Sequence, residues 1–170
     1  LAEIGAPLGI AAQAVGAVST PDGQPVSSSR IRAALQSGDC ATATRLLTRP
    51  FAIEGIVQHG DKVGRTIGYP TANLDMGNYL RPAYGIYAVR GVLPDGRVLD
   101  GAANLGIRPT FDPPKELLEP FFLDFSESLY DQCIEVQLIE RLRAEAKFDS
   151  LDALVAQMDK DIARARQILA

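Results

Sequence analysis

Five short segments rich in β-branched and aromatic residues follow Pro50, and turn residues separate them. They span residues 51–59, 85–93, 98–104, 117–125 and 133–139. Pro94-Asp95-Gly96 marks a turn between two of them, because proline fixes one backbone angle and glycine takes an angle that other residues avoid. Five or six short strands at this spacing predict a closed antiparallel barrel or a β-sandwich.

Helical patterns flank the strand region. Two short helices are predicted ahead of it, over residues 27–35 and 41–47, and Asp39 can cap the second. A longer helix is predicted at the end of the chain, with Asp149 or Ser150 as its cap. Its apolar face comprises Leu151, Leu154, Val155, Met158, Ile162, Ala165 and Leu169. We expect most of this face to cover the barrel.

Composition narrows the classes of protein. The chain has 170 residues, of which 46% are apolar, which is enough for one domain or one domain plus a fragment. Its net charge of −4 and isoelectric point near 5.0 disfavour a general nucleic-acid binder, which usually has a basic surface. Residues 4–17 are apolar but interrupted by Pro7, and they are too short to span a bilayer. We therefore expect neither nucleic acid nor membrane as a partner.

The cysteines and the histidine are too few for metal or disulfide chemistry. Cys40 and Cys133 lie far apart in the sequence, so no disulfide framework or metal-ligand spacing is present. His59 is the single histidine, which excludes a two-histidine zinc site. This usage predicts a reduced, cytoplasmic protein.

A glycine-rich run begins directly after His59. Gly60, Gly64 and Gly68 recur every four residues, and Lys62 and Arg65 lie between them. Glycines allow backbone amides to approach a ligand closely, and successive amides can form a concave anion site. The spacing differs from a Walker A loop. A plain glycine-rich connection between two strands is the alternative interpretation.

Oxygen donors follow the glycines. Thr71 offers a hydroxyl and Asn73 an amide carbonyl, and both are hard ligands of the kind that Mg²⁺ prefers. The glycine loop, its positive charges and these oxygens together indicate a site for a nucleotide phosphate and its metal.

Residues 60–74 resemble the nucleotide loop of riboflavin kinases, as found in the C-terminal module of bacterial bifunctional FAD synthetases. The resemblance continues, in the same order and with similar spacing, in residues 81–89, 103–111, 118–119, 123–125 and 142–148. It covers the chain from about residue 51 to its end. It implies a six-stranded antiparallel Greek-key barrel with a C-terminal helix, over residues 50–170.

The resemblance also implies an activity and a set of site residues. The activity is phosphorylation of the riboflavin 5′-hydroxyl by ATP with Mg²⁺, giving FMN. Glu119 is the expected general base, because it falls where riboflavin kinases carry a catalytic glutamate. The expected binding residues are Gly60, Lys62, Gly64, Arg65, Gly68, Pro70, Thr71, Asn73, Asn104 and Arg108, with Thr71 and Asn73 on the metal.

Residues 1–49 carry a second resemblance. The Ser-Ser-Ser-Arg-Ile-Arg run at 27–32 is similar to the last motif of the adenylyltransferase module of FAD synthetases. The earlier motifs of that module have no counterpart here. We interpret residues 1–49 as a helical remnant of such a module, cut from a longer protein that also adenylylates FMN. Two ordinary surface helices are the alternative.

The sequence departs from the family directly after Glu119. Many members continue with a small apolar residue and a histidine, whereas Pro120 and Phe121 stand here. We expect this change to affect the flavin pocket and the efficiency of the reaction. Arg143 and Glu145 are expected to form a surface ion pair and Phe148 to pack in the core.

Two alternative functions are also consistent with parts of the sequence. The first is a flavin-binding module without catalysis, which Phe121 and the missing upstream motifs favour. The second is a barrel that binds single-stranded nucleic acid, which an acidic chain without tryptophan disfavours. We expect a monomer acting on small molecules.

Overall fold

A computed structural model describes residues 2–59, 69–108 and 114–170. Within these ranges the chain forms one antiparallel sheet of six strands, in the spatial order β1-β6-β3-β4-β5-β2. The strands are β1 (Phe51–Ile56), β2 (Leu74–Asp75), β3 (Gly85–Val92), β4 (Val98–Arg108), β5 (Lys115–Phe122) and β6 (Cys133–Arg143). Strands β3, β4 and β5 follow one another, and β6 returns beside β3, which is the Greek-key order.

The two outer strands of this order approach each other and nearly close the barrel. Beyond the end of β1, the Gln58 amide donates to the Asn73 carbonyl at 2.8 Å, just before β2 begins. Alongside, a methyl carbon of Leu74 lies 3.6 Å from the place where a Gly55 Cβ would stand. The predicted barrel is therefore confirmed over a sandwich.

Alternation along the strands fills the barrel interior. Ile134, Val136 and Leu138 of β6 are almost completely buried, and the residues between them are not. They pack with Ile53 of β1 and Tyr87 of β3 in one hydrophobic core. Successive side chains of a strand face opposite sides, so every second residue is available to line the core.

The helices predicted ahead of the barrel are confirmed. Two short N-terminal turns, α1 (Ala2–Gly5) and a 3₁₀ segment (Ala6–Leu8), precede α2 (Ser28–Ser37) and α3 (Cys40–Leu47). The Ser27 hydroxyl accepts from the Arg30 amide at 3.3 Å, and Asp39 accepts from the Thr42 amide at 2.9 Å. These caps satisfy amides that a helix start leaves unpaired.

Helices α2 and α3 rest against the barrel. Ala34, Leu35 and Ala43 form a small cluster with Phe51 of β1, and Cys40 enters the barrel core itself. Contacts thus cross the predicted boundary between residues 49 and 50. The assignment of residues 1–49 to an adenylyltransferase remnant stays a prediction.

The last helix, α4 (Leu151–Leu169), begins at Ser150, whose hydroxyl accepts from the Ala153 amide at 3.2 Å. Its C-terminal half buries Ala165 and Leu169 against Ala88 and Ala102 of the barrel. Its N-terminal half extends over the barrel end and leaves a space beneath it. No helix of the described chain is both long and apolar enough to cross a membrane.

Candidate active site

A cavity of about 690 Å³ lies between strands β4 and β5 and the N-terminal half of α4. Its lining on the helix side is mainly apolar apart from Asp161, and the strand side carries the charged Arg108 and Glu119. The residues that line the cavity include Tyr69, Thr71, Asn104, Arg108, Glu119, Phe121, Arg143, Glu145, Phe148, Leu154, Met158 and Asp161. The predicted apolar face of α4 therefore has two roles, since its first half lines the cavity and its second half covers the barrel.

Glu119 and Arg108 form an ion pair on the strand side of this cavity. The Arg108 guanidinium donates to Oε2 of Glu119, and the two side chains are 31% and 17% exposed. A second carboxylate approaches from the segment after β6, with Glu145 Oε1 lying 4.0 Å from Arg108 Nη1. This arrangement holds the Glu119 carboxylate on the cavity wall.

Asn104 lies directly opposite Glu119 in the β4–β5 pairing. Its side-chain oxygen is buried and has no hydrogen-bond partner among the described residues. A buried acceptor without a donor typically costs about 1–3 kcal/mol. Because Asn104 lines the cavity, a ligand with an N–H or O–H group there would remove this cost.

Glycine at position 106 allows Glu145 to lie against β4. A Cβ at Gly106 would overlap Glu145 Oε1, because it would stand closer to that oxygen than any real contact. The absent side chain makes room for the carboxylate beside Arg108. The close approach of Glu145 thus explains sterically why a glycine ends the Asn-Leu-Gly block that resembles the family.

Thr71 and Asn73 follow on the other side of Glu119. Thr71 lines the large cavity and also a second cavity of about 190 Å³, so it stands where the two meet. Asn73 is 8% exposed. The second cavity is lined by Val57, Pro70, Ala72, Pro120, Phe122, Phe125, Glu127, Leu129 and Tyr130, among others.

The donor set at this place suits a hard cation. Threonine and asparagine oxygens bind Mg²⁺, which usually keeps several waters and takes its remaining ligands from phosphates. Within the described ranges, no group of three or more His, Cys, Asp or Glu side chains could hold a metal ion. Thr71 and Asn73 carry oxygens of this kind, and Thr71 borders both cavities whereas Asn73 is not among the residues that line either of them.

Tyr69 is a cavity residue that the sequence did not indicate. Its hydroxyl donates to Oδ1 of Asp159 on α4, and its ring meets the Phe121 ring edge-on with centroids 5.2 Å apart. The hydrogen bond to Asp159 is the main cause that raises the pKa of Tyr69 above its ordinary value. Phe121, the expected departure from the family, thus becomes part of the cavity wall.

Two expectations about the segment after β6 are wrong. Arg143 does not pair with Glu145, because its Nη2 donates to Asp161 Oδ2 at 2.7 Å and its Nε is 3.0 Å from both carboxylate oxygens. Phe148 is only partly buried and lines the cavity, with the Arg143 guanidinium 5.8 Å from its ring centre. The docking of α4 explains the first difference, since it brings the Asp161 carboxylate to the Arg143 guanidinium.

Asp161 was also missed by the sequence reasoning, although a signal existed. It is 8% exposed and falls in the apolar stripe of α4, seven residues after Leu154 and four before Ala165. A charge inside an apolar stripe needs a buried partner. Gln157 adds a further hydrogen bond to it at 3.0 Å.

Several predicted residues lie outside the described ranges. They are Gly60, Lys62, Gly64, Arg65 and Gly68. His59 lies at the near edge of the first gap, where its ring stacks on Tyr130 with centroids 4.0 Å apart. Of the predicted site, Thr71, Asn104, Arg108 and Glu119 meet at the large cavity, while Pro70 lines the smaller one.

Comparison with known proteins agrees with this arrangement. The riboflavin kinase family model matches residues 47–169. A bifunctional riboflavin kinase/FMN adenylyltransferase of Haemophilus influenzae is 43% identical over 145 residues, which are 85% of this chain and 47% of that protein. The protein of the same description from Bacillus subtilis is 42% identical over 84% of this chain and 46% of its own length. The chain thus spans about half the length of these relatives.

Solved structures share the fold. A Streptococcus pneumoniae structure described as a macrolide-efflux protein superposes with a TM-score of 0.80 at 37% identity, over 89% of this chain and 50% of that one. A riboflavin kinase from Trypanosoma brucei superposes with a TM-score of 0.51 at 23% identity, over 71% of this chain and 80% of that one. The second likeness concerns the fold alone. By the family match and the cavity-bearing barrel together, this chain belongs to the riboflavin kinase family.

Proposed function

We propose that this chain transfers the γ-phosphoryl group of ATP to the 5′-hydroxyl of riboflavin, giving FMN and ADP. The single observation that carries the proposal is the position of Thr71. This residue lies where a large, partly apolar cavity meets a smaller one. Glu119 lies on the wall of the larger cavity. Two substrates that react with each other need two sites that share a border, and a catalytic carboxylate must lie at that border.

In this proposal the larger cavity holds the flavin. Phe148, Leu154 and Met158 provide an apolar surface for a flat ring system. Asn104 provides a buried acceptor for a ring N–H or a ribityl hydroxyl. An apolar pocket with a few well-placed polar groups is the usual form of a small-molecule site.

The nucleotide occupies the other side of Thr71. Its base would lie in the smaller cavity, beside Pro70 and Tyr130. Its phosphates would reach Lys62 and Arg65 in the glycine-rich loop, as the resemblance implies. Thr71 and Asn73 would hold a Mg²⁺ ion, which offsets the negative charge that develops on the phosphates.

The chemical step needs one proton acceptor. The Glu119 carboxylate takes the proton of the ribityl 5′-hydroxyl, and that oxygen forms a bond to the γ-phosphorus. The bond between this phosphorus and the oxygen that bridges it to the β-phosphate breaks, and ADP leaves. Arg108 holds the Glu119 carboxylate in place on the cavity wall. General-base catalysis of this kind contributes about 10²–10⁴ in rate.

A second candidate function is flavin binding without catalysis. Two observations favour it: Glu119 is already engaged by Arg108, and Phe121 packs on Tyr69 at the cavity wall. One incubation experiment separates the two functions. Riboflavin, ATP and Mg²⁺ are mixed with the protein, with an EDTA control, and the flavins are separated by chromatography. FMN that forms only with Mg²⁺ supports the kinase, whereas bound flavin without FMN formation supports the binding module.

The wider context belongs to the same proposal. A longer protein that contains this chain would also adenylylate FMN to FAD, and the domain would act as a monomer in the cytoplasm. The free Cys40 and Cys133 fit a reducing compartment. Sedimentation of the isolated chain would test the monomer, and FAD formation by the longer protein would test the second activity.

A further inference from the structure

Tyr69 bridges the two walls of the large cavity. Its ring packs against Phe121 of β5 at an interplanar angle of 68°, and its hydroxyl reaches Asp159 on α4. Tyr69 and Phe121 both line the cavity, as does Met158, the neighbour of Asp159. The side chain therefore lies across the opening between the barrel and the helix.

The same residue is tied to the segment proposed for the nucleotide. Tyr69 precedes Pro70 and Thr71 directly, and Thr71 borders both cavities. One residue further on, the Ala72 amide donates to the Pro120 carbonyl at 2.9 Å, which fixes this segment to β5. Whatever orders residues 70–73 also restricts Tyr69.

The N-terminal half of α4 is less buried than its C-terminal half. The buried residues of the helix are Asp161, Ala165 and Leu169, all in its second half. The first half lies over the cavity, and one of its contacts with the rest of the described chain is the hydrogen bond from Tyr69 to Asp159. Strengthening that bond would stabilise the helix in its position over the flavin.

We propose that Tyr69 is a positioning residue that couples the two substrate sites through its hydrogen bond to Asp159. A nucleotide that contacts residues 70–73 restricts Tyr69 further and so favours the bond, and the bond holds the N-terminal half of α4 over the flavin. Because such coupling is reciprocal, riboflavin tightens nucleotide binding by the same factor. This inference rests on the proposed function, since it takes the two cavities as the sites of riboflavin and nucleotide.

The test is riboflavin affinity, measured from flavin fluorescence with and without ADP and Mg²⁺. ADP has no γ-phosphoryl group to transfer, so only binding is measured. We expect ADP to tighten riboflavin binding to the wild type, and Tyr69→Phe to reduce this effect by about 2- to 10-fold, the range of one net hydrogen bond. Phenylalanine keeps the ring contact with Phe121 and removes only the hydroxyl.

A double-mutant cycle shows whether the bond itself is responsible. Tyr69→Phe, Asp159→Ala and the double variant should all have the same reduced coupling, because either change alone removes the bond. Asp124→Ala is the matched control. It removes another ion pair of α4, with Arg166 at 2.8 Å, which lies outside the large cavity. Its coupling should equal that of the wild type.

The outcomes separate this inference from the proposed function. Coupling that is unchanged in Tyr69→Phe, or additive effects in the cycle, would overturn the role of Tyr69. A wild type that forms FMN but binds riboflavin equally with and without ADP would do so as well, while leaving the kinase intact. A wild type that forms no FMN refutes the proposed function instead.

Discussion

Arg108 donates a hydrogen bond to the Glu119 carboxylate from the neighbouring strand, and both side chains line the large cavity. The pairing of β4 with β5 places Asn104 opposite Glu119, and Arg108, four residues further along β4 on the same face, reaches back to the carboxylate. The proposed base is thus held by a guanidinium that is itself approached by Glu145. Residues from three separate stretches of sequence fix the position of one carboxylate.

Glu119→Gln should lower turnover at least about tenfold, because the amide cannot accept the proton of the hydroxyl. The substituted amide side chain would retain the size of the glutamate and could still accept a hydrogen bond from Arg108, so we expect the fold to persist. Steady-state FMN formation measures the effect, and circular dichroism verifies the fold. Turnover equal to that of the wild type would remove Glu119 from the mechanism.

Glu116→Gln is the matched control for this experiment. Glu116 lies on the same strand, pairs with Arg81 at 2.6 Å and has a side chain that is 19% exposed, but it does not line the large cavity. It differs from Glu119 mainly in its distance from the proposed chemistry. We expect Glu116→Gln to keep the turnover of the wild type per folded molecule.

Thr71→Ala should weaken the nucleotide affinity that depends on Mg²⁺ and leave the affinity without Mg²⁺ nearly unchanged. The reason is that the hydroxyl is proposed as a ligand of the metal and not of the phosphates. Titrations of ADP at several Mg²⁺ concentrations give both affinities. Thr44→Ala on α3, outside both cavities, serves as the control. Identical Mg²⁺ dependence in Thr71→Ala and the wild type would rule out the metal role.

Asp161→Ala should destabilise the fold, because it leaves the Arg143 guanidinium beside the barrel without its carboxylate. Removing one partner of a buried ion pair costs up to about 3–5 kcal/mol. The Arg143 side chain is 23% exposed, so we expect the lower part of that range. The free energy of unfolding in urea measures it.

Asp124→Ala provides the comparison, since Asp124 pairs with Arg166 of the same helix at the surface. Exposed pairs contribute little because water competes for both charges. The unfolding free energy of Asp124→Ala should therefore stay close to that of the wild type. Equal losses in the two variants would mean that burial does not distinguish the two ion pairs.

The sequence predicted the five longer strands because they are rich in β-branched and aromatic residues and turn residues separate them. It missed β2, since a strand of two residues, Leu74–Asp75, has no period to detect. The sequence-based prediction also ended β4 and β6 too early, at residues 104 and 139, whereas the strands end at Arg108 and Arg143. The β6 extension is mostly polar, whereas the β4 extension includes the buried Leu105, and both continue as strands because neighbouring strands pair with them.

Part of the candidate site could be predicted because it lies in compact sequence motifs. Glu119, Arg108 and Thr71 belong to such motifs, and they meet at the cavity. Tyr69 and Asp161 could not be placed, since their partners are 90 and 18 residues away in the chain. Contacts of this kind depend on where α4 docks, which its own pattern of apolar residues does not determine.

Cys40 should make the stability of the fold depend on alkaline pH. Burial in the barrel core is the main cause that raises the pKa of its thiol from 9.0 to about 11. The folded state therefore favours the protonated thiol, while the unfolded chain ionises at the lower value. The corresponding stability is fully present below pH 9 and is lost as the pH rises toward 11.

The measurement is the free energy of unfolding between about pH 8 and pH 11, for the wild type and for Cys40→Ala. Burial also raises the pKa of Tyr87, and the charge of the Cys40 thiolate is a smaller cause, so the difference between the two proteins measures the Cys40 thiol together with its effect on Tyr87. We expect the wild type to lose stability more steeply than the variant, by about 1.4 kcal/mol for each unit of pKa difference. Cys133→Ala is the control, because that thiol is exposed. Parallel curves for the wild type and Cys40→Ala would show that the Cys40 thiol titrates alike in the folded and unfolded states.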